Sequence, residues 1–447
     1  MGIFRSILLN LPEVKSPDEK KVSFSKKLKW TLTILVSYFL LTLIPIYGLG
    51  AAALERFDFL AIILGTTFGS VISLGIGPIV TASIVLQLLV GAKILNIDLH
   101  SADGKRYFQG LQKMLGILFT MFEATVFVLM GGLSPAAGFS PILLIFQLFL
   151  GGILIIYMDE VVSKYGFGSG ISLFIVAGVA SQLFVRLFSF EQVGTERAGR
   201  LWVLFSNFAA GDISGALLIL LTIATTAIIF FAVVYVQAIK VEIPLSFGRV
   251  RGFGIRWPLS FLYTSNIPVI LTAALLANVQ LVSTLWRNPI AASISNWFNP
   301  PAISQVNEGL LGLAFRGGIT PVDIAQVLFY SLVMIGGGIL FAVFWVKTSG
   351  MDASSQAQQI MRSGLQIPGF RRDPRLTEAI LNRYIMPLTV MGGATVGLLA
   401  ALADILGALV RGTGILLAVT IIYRMYEEIA QQHAFDMHPA LRKFVEK

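Results

Sequence analysis

Cysteine is absent from the 447 residues, which excludes disulfide frameworks, thiolate metal centres and cysteine nucleophiles. Charge is scarce too: 13% of residues are charged, against about 25% in an ordinary soluble domain. Histidine occurs three times, as His100, His433 and His438, each in a polar segment. His433 and His438 stand five apart, a spacing that keeps their rings off one helical face, so no zinc site is expected. No G-x-x-x-x-G-K-[ST], H-E-x-x-H or G-x-S-x-G occurs, and no carboxylate pair stands inside an apolar run. "YGFGSGIS", Tyr165 to Ser172, lacks the strand before, the helix after and the spacing of a dinucleotide loop. These absences argue against an ATP-driven pump and an intramembrane protease, and no catalytic residue, metal or cofactor is expected.

What is present is apolar. Hydrophobic residues make up 56% of the chain and the mean hydropathy is +0.81, values of a polytopic membrane protein. Ten runs approach the roughly 20 residues needed to cross hydrocarbon: about 31–49, 76–93, 107–131, 141–158, 170–189, 214–239, 259–285, 322–346, 384–404 and 408–425. With the N-terminus in the cytoplasm, 26 of the 33 lysines and arginines fall on the cytoplasmic side, as the positive-inside rule requires. The other seven are Arg56, Arg186, Arg197, Arg200, Arg287, Arg316 and Arg411. Both termini are therefore expected to be cytoplasmic in a multi-pass protein of the cell membrane. The first 30 residues lack the continuous apolar core of a cleaved signal peptide. Ile3, Phe4, Ile7, Leu8 and Leu11 stand at helical spacing, which predicts an amphipathic helix on the membrane surface. Five spans per half force the second half to enter the membrane inverted, an arrangement widespread among transporters that selects no function by itself.

One segment does not fit a span. "FLAIILGTTFGSVIS", Phe59 to Ser73, is uncharged, carries two glycines and is followed by Gly75-Ile76-Gly77-Pro78. Lipid cannot satisfy free backbone groups, so a half-inserted segment belongs inside the bundle; the competing reading is one long, kinked helix. Among ionisable residues only Glu123 stands near the centre of a span, while Asp404 and Arg411 lie at the outer end of the last hairpin. Thr81, Gln87, Asn278 and Gln280 are uncharged polar residues within spans, suited to interhelical hydrogen bonds. Two cytoplasmic loops, Lys240 to Pro258 and Lys347 to Leu376, carry arginines among glycines, prolines and aromatics. Basic projecting loops suit RNA phosphate or lipid headgroups, and the longer one exceeds what a helix connection needs.

Five stretches in order, "LGIGPIVTASIVLQLL", "DEVVSKYGFGSGISLFI", "VEIPLSFGRVRG", "SNIPVIL" and "RGTGILLAVTIIYRMYEE", resemble the SecY family, the protein-conducting subunit of the Sec translocon. "GSGIS" and "VEIP" resemble its archaeal and eukaryotic branch, and the likeness covers nearly the whole chain. The resemblance implies an all-α fold of ten transmembrane helices in two pseudo-symmetric inverted halves of five around a central pore. It divides the chain into an amphipathic segment (1–30), a first half (31–189) with a plug at about 58–70, an external connection (190–213), a second half (214–425) and a cytoplasmic tail (426–447). The plug implied is centred on Ile62, Ile63, Leu64, Gly65, Thr66, Thr67 and Phe68. A pore ring falls on Ile76, Val80, Ile171, Ile175, Ile270 and Leu417, aliphatic side chains that offer no ligand to a hydrated ion. A lateral gate falls on Thr81, Glu123 and Asn278, and ribosome docking on Arg249, Arg251, Arg371 and Arg372. Partners implied are a SecE-type (gamma) subunit, a Sec-beta subunit, the ribosome, signal sequences, nascent polypeptide chains and membrane lipid. Arg411 stands where the family pattern suggests a small neutral residue, and its role is open. The alternative class is an inverted-repeat secondary transporter of a small solute, for which the sequence offers only Glu123 as a midplane ionisable site.

Overall fold

The computed structural model describes residues 11–18, 22–50, 69–91, 94–97, 102–129, 133–190, 192–193, 196–197, 199–247, 254–264, 267–286, 293, 295–300, 309–316, 318–367 and 373–437. They belong to two compact units, one of Met1–Gln182 with Ile421–Lys447 and the other of Leu183–Thr420. The amphipathic segment from Ile3 to Leu8 and the segment from Ile62 to Phe68 lie outside the described residues.

The first unit begins with α1 (Phe24–Thr42), which buries Thr31, Ile34 and Tyr38 along one face. The apolar run 31–49 predicts a later helix, but the helix ends near Leu43 because Pro45 lacks a backbone donor. Residues 44–50 instead satisfy their backbone across the chain: Ile46 N–H donates to Gly69 at 2.7 Å, Val71 N–H to Ile44 at 3.0 Å and Gly50 N–H to Ser134 at 2.9 Å. Next come α2 (Gly77–Gly91), α3 (Ala102–Leu129), α4 (Pro141–Tyr165) and α5 (Gly170–Phe188). Ser140 and Pro141 start α4, the serine accepting from Ile142 N–H and the proline needing no acceptor. Its buried Leu144, Leu148, Gly151, Ile155 and Val162 form a stripe at the spacing of one helical face. Against α4 and α1 pack Ile72, Ile79, Leu173, Phe174 and Ala177, with Tyr38 and Phe174 stacked at 4.7 Å.

Residues 11–18 strap this unit on one side. Lys113 on α3 forms an ion pair with Glu160 on α4 and donates to the Pro12 carbonyl. Glu160 also accepts from Val14 N–H at 3.0 Å, and Tyr165 donates its hydroxyl to the Lys15 carbonyl at 2.6 Å.

The second unit holds a two-residue hairpin, β1 (Gln192–Val193) with β2 (Glu196–Arg197), then α6 (Arg200–Ala210) and α7 (Ile213–Ala238). Gly211, in the left-handed region at φ 78°, closes α6, and Asp212 caps α7 by accepting from Gly215 N–H. Then follow β3 (Lys240–Phe247), β4 (Gly254–Ser260), α8 (Ile267–Trp286), α9 (Gly309–Arg316), α10 (Pro321–Thr348), α11 (Ala353–Arg362), β5 (Leu365–Gln366), α12 (Pro374–Ile405) and α13 (Gly412–Met437). One sequence expectation changes here. The seventh span starts at Ile267 rather than 259, because residues up to Ser260 pair in β4. The two basic loops, set apart from simple connections by their sequence, supply an antiparallel sheet of order β4-β3-β5. Ile243, Leu245 and Leu259 from the sheet bury against Ala357, Ile360, Leu381 and Ile385. Helices α10 and α12 approach through glycine, since a Cβ at Gly338 would press on the Gly393 carbonyl oxygen at 2.6 Å, the close packing that small residues permit between apolar helices.

Each of the ten apolar runs falls on one helix. Among the described residues α3, α4, α5, α7, α10 and α12 are by themselves long and apolar enough to cross a membrane, and α2 is a shorter apolar helix.

Candidate functional site

The break in the second apolar run is a structural feature of its own. Residues 69–76 form successive turns instead of helix, which sets aside a continuous kinked helix over that stretch. Gly69 and Gly75 take φ of 89° and 56°, a region costly for other residues. The turns close on themselves through Ser73 N–H to Ser70 at 2.9 Å and Gly75 N–H to Ile72 at 2.8 Å. Ser70, Ile72, Ser73 and Leu74 are buried. Gly151 on α4 makes room for the Val71 carbonyl, where a Cβ would overlap it. Irregular backbone thus runs inside protein, the condition under which a membrane protein tolerates it. Helix α2 then restarts, with Pro78 in the first turn where no donor is needed. Its 15 residues reach about 22 Å, short of the roughly 30 Å hydrocarbon core.

Six aliphatic residues were expected to form a ring, and each unit holds part of the set. In the first, Ile76 and Val80 are one turn apart around the start of α2, and Ile171 and Ile175 one turn apart at the start of α5. Ile76 and Ile171 pack on the same core cluster. In the second, Ile270 lies in the first turn of α8 and Leu417 in the second turn of α13. All six are half-buried. Sequence reasoning missed what orients Ile171: Asp159 on α4 accepts its N–H at 2.8 Å and the Ser169 hydroxyl at 3.4 Å. Gly170 permits this, because a Cβ there would press on Asp159 Cα at 2.5 Å. The acid followed by the glycine run Gly166, Gly168 and Gly170 is the signal that could have revealed it.

Of the expected gate residues, Thr81 and Glu123 are half-buried on α2 and α3. Glu123 faces the restart of α2, where a Cβ at Gly77 would stand 3.5 Å from Glu123 Oε2, and Thr81 follows Gly77 by one turn. Among the described residues no hydrogen bond joins Thr81 to Glu123. A link the sequence reading overlooked ties the same helices, Gln112 Nε2 donating to Ser83 Oγ at 2.6 Å. Asn278 lies within α8, and its side chain is outside the described residues.

A sequence model of the SecY family matches residues 70–426. The chain belongs to the SecY family. It is 46% identical over 455 residues to the protein translocase subunit SecY of Methanothermobacter thermautotrophicus, covering 99% of this chain and 98% of that one. It resembles a solved SecY whose plug domain stabilises the closed state of the translocation channel and maintains a membrane seal, with TM-score 0.77, 38% identity and coverage of 97% and 98%. It also resembles Sec61 in the canine ribosome-channel complex from the endoplasmic reticulum, with TM-score 0.74, 38% identity and the same coverage. The fold is thus that of an all-α, multi-span membrane channel subunit and not of an enzyme.

The expected docking arginines Arg249, Arg251, Arg371 and Arg372 lie outside the described residues, but the roots of both their loops are defined. Ser246 on β3 pairs with Gly254 across the first loop and with Gln366 at the foot of the second. One small sheet therefore carries the bases of both basic loops. At the other end of this unit Asp404, at the close of α12, accepts the Tyr330 hydroxyl at 2.6 Å and Gly412 N–H at 2.7 Å. Tyr330 and Asp404, with Arg411 and Asn299, line a cavity of about 20 Å³. Among the described residues no cluster of potential metal ligands occurs.

Proposed function

We propose that this chain is the central pore-forming subunit of a protein translocation channel, passing unfolded secretory polypeptides and releasing hydrophobic segments sideways into lipid. The observation that carries this reading is the enclosed, non-helical backbone from Gly69 to Ile76, which delivers a short helix bearing Ile76 and Val80. A small-solute transporter also uses broken helices but calls for an ionisable midplane site, for which the sequence offers only Glu123. Residues Ile62 to Phe68, immediately before the turns, act as the plug at rest. Ile76, Val80, Ile171, Ile175, Ile270 and Leu417 form a ring that can dewet and deform around a chain.

Thr81, Glu123 and Asn278 hold the lateral gate until a signal sequence replaces their contacts. Arg249, Arg251, Arg371 and Arg372 dock the ribosome through RNA phosphate, and both termini lie in the cytoplasm, on the same side as those loops. A SecE-type subunit and a Sec-beta subunit complete the complex. The likeness to a ribosome-bound Sec61 and the common sheet beneath both loops support this assignment.

Photocrosslinkers at Ile76 and Ile270 test the pore. A stalled nascent chain should react with both and not with a crosslinker at Leu220, an exposed position on α7. Equal reaction at all three would overturn the pore assignment. Reversing the four docking arginines to Glu should lower ribosome binding and flatten its salt dependence while orientation survives; an unchanged salt slope would remove the docking role.

A further inference from the structure

Residues 11–18 touch three helices of the first unit, and two of those helices carry proposed gate residues. Pro12 and Pro17 keep this stretch out of helix, and 12–17 have no regular structure, so its backbone bonds sideways instead. Leu11 packs beside Leu86 of α2 and Leu111 of α3. Lys113 on α3 donates to the Pro12 carbonyl, and Glu160 on α4 accepts from Val14 N–H at 3.0 Å. At the end of α4, Lys164 donates to the Val14 carbonyl and pairs with Glu13 at 3.1 Å, while Tyr165 donates its hydroxyl to the Lys15 carbonyl at 2.6 Å.

The ion pair beneath explains why the segment is held there. Lys113 and Glu160 join α3 to α4 with side chains only 9% and 18% exposed, and the ammonium lies 4.7 Å from the centre of the Tyr157 ring. A sheltered ion pair is stable only when its remaining donors and acceptors are satisfied. The strap does this, with the Pro12 carbonyl for the lysine and Val14 N–H for the glutamate. Water can take over the same roles once the strap lifts, so exchanging one set of hydrogen bonds for the other costs little net free energy. Helix α4 also accommodates the irregular backbone, since Gly151 makes room for the Val71 carbonyl. Strap and enclosed turns therefore belong to one arrangement of α2, α3 and α4.

We propose that residues 11–18 are a latch. Seated, they hold the α2–α3 pair, which bears Thr81 and Glu123, against α4 in the arrangement that encloses the turns; lifted, they let the gate helices move. A contact made in one arrangement only shifts the balance toward it, so the latch sets how hydrophobic a signal sequence must be to open the gate. This inference rests on the gate assignment made above.

The full-length channel complex in proteoliposomes tests it. The chain has no cysteine, so Glu13→Cys with Lys164→Cys gives a unique pair, and its yield with a short reducible bismaleimide reports seating. In that background Val14→Pro with Tyr165→Phe removes two strap hydrogen bonds and leaves the Lys113–Glu160 pair in place. Crosslinking should fall, and in the same substitutions without the cysteines translocation of a marginally hydrophobic signal should rise about tenfold. Conversely, the crosslinked channel should demand a more hydrophobic signal than the same protein after the crosslinker is reduced. Should the paired substitutions leave the strap seated, the comparison of crosslinked with reduced channel decides alone. A lifted strap with unchanged translocation, or a crosslinked channel that handles the marginal signal as well as the reduced one, would overturn the latch. Glu123→Gln separates the two readings: if it moves the signal threshold while the latch changes do not, the latch alone falls, and if neither moves it, the gate assignment falls and takes the latch with it.

Discussion

Asp404 and Glu123 are carboxylates set in apolar helices of different units, and their surroundings treat them oppositely. Asp404 meets two built-in donors, the Tyr330 hydroxyl on α10 and Gly412 N–H at the start of α13, with the charge of Arg411 beside them. Glu123 faces Gly77 at the restart of α2 and has no hydrogen-bond donor among the described residues. A polar group away from water is costly unless it is paired. Asp404 therefore acts as fixed glue between three helices, whereas Glu123 is available to contacts that form and break, as a gate requires.

The largest effect should come from breaking the fixed site. Asp404→Ala strands the Tyr330 hydroxyl and Gly412 N–H and removes the counter-charge of Arg411, for a loss of about 3 kcal/mol. Asp404→Asn keeps an acceptor and should lose about half as much. Thermal unfolding in detergent measures both, and parent-like melting of the alanine variant would erase the contrast with Glu123. Next is the enclosed break near Glu123. Gly151→Ala sets a methyl group against the Val71 carbonyl and should cost about 2 kcal/mol through overpacking. Because Val71 belongs to the turns after the proposed plug, ion leakage through the resting channel in planar bilayers should rise too. Unfolding at lower temperature without leakage would detach the turns from the seal.

Tyr263 is a neutral counterpart to both acids and lies outside the spans. Its hydroxyl donates to the Met351 carbonyl at 2.8 Å, and burial, then the charge of Asp352, pushes its pKa up to about 12. The unfolded value is near 10, so the folded state holds this proton more tightly. The stabilisation is fully present below pH about 10 and is lost as pH rises through about 12. Tyr263→Phe should cost about 1 kcal/mol at neutral pH and weaken the decline in melting temperature over that alkaline window. An identical alkaline decline in both proteins would show that another group governs it.

The contrast between the two acids was only half legible beforehand. Glu123 stood out as the one ionisable residue near the middle of a span, and Asp404 as an acid beside a misplaced arginine; neither setting could be read, because Tyr330 and Gly77 are distant in sequence. The same limit applies to the fold. Long apolar runs located ten helices, yet the runs ending at 49 and starting at 259 continued into backbone that Pro45 and the pairing of β4 divert from helix. Val241, Ile243 and Leu245 alternate as a strand does and pair locally with Leu259, Trp257 and Ile255 of β4; the third strand was hidden, because Gln366 pairs with Ser246 from 120 residues away. Gly75, Gly77 and Pro78 did announce a break, since few residues other than glycine tolerate positive φ.

The smallest expected change in stability, and the sharpest test of the comparison, falls on Glu123 itself. With no donor among the described residues to lose, Glu123→Gln should alter unfolding by no more than about 0.5 kcal/mol, the range of substitutions that break no fixed contact. Its effect should emerge instead when a signal sequence inserts, because Gln donates as well as accepts and carries no charge to desolvate. The minimum signal hydrophobicity for translocation should therefore shift while melting does not. Gly77→Ala approaches the same carboxylate from α2, bringing a methyl group to ordinary contact at 3.5 Å, and should move the threshold without unfolding the helix. A loss of stability in Glu123→Gln as large as that in Asp404→Ala would make both acids structural. A signal threshold unmoved by either substitution would take Glu123 out of the gate.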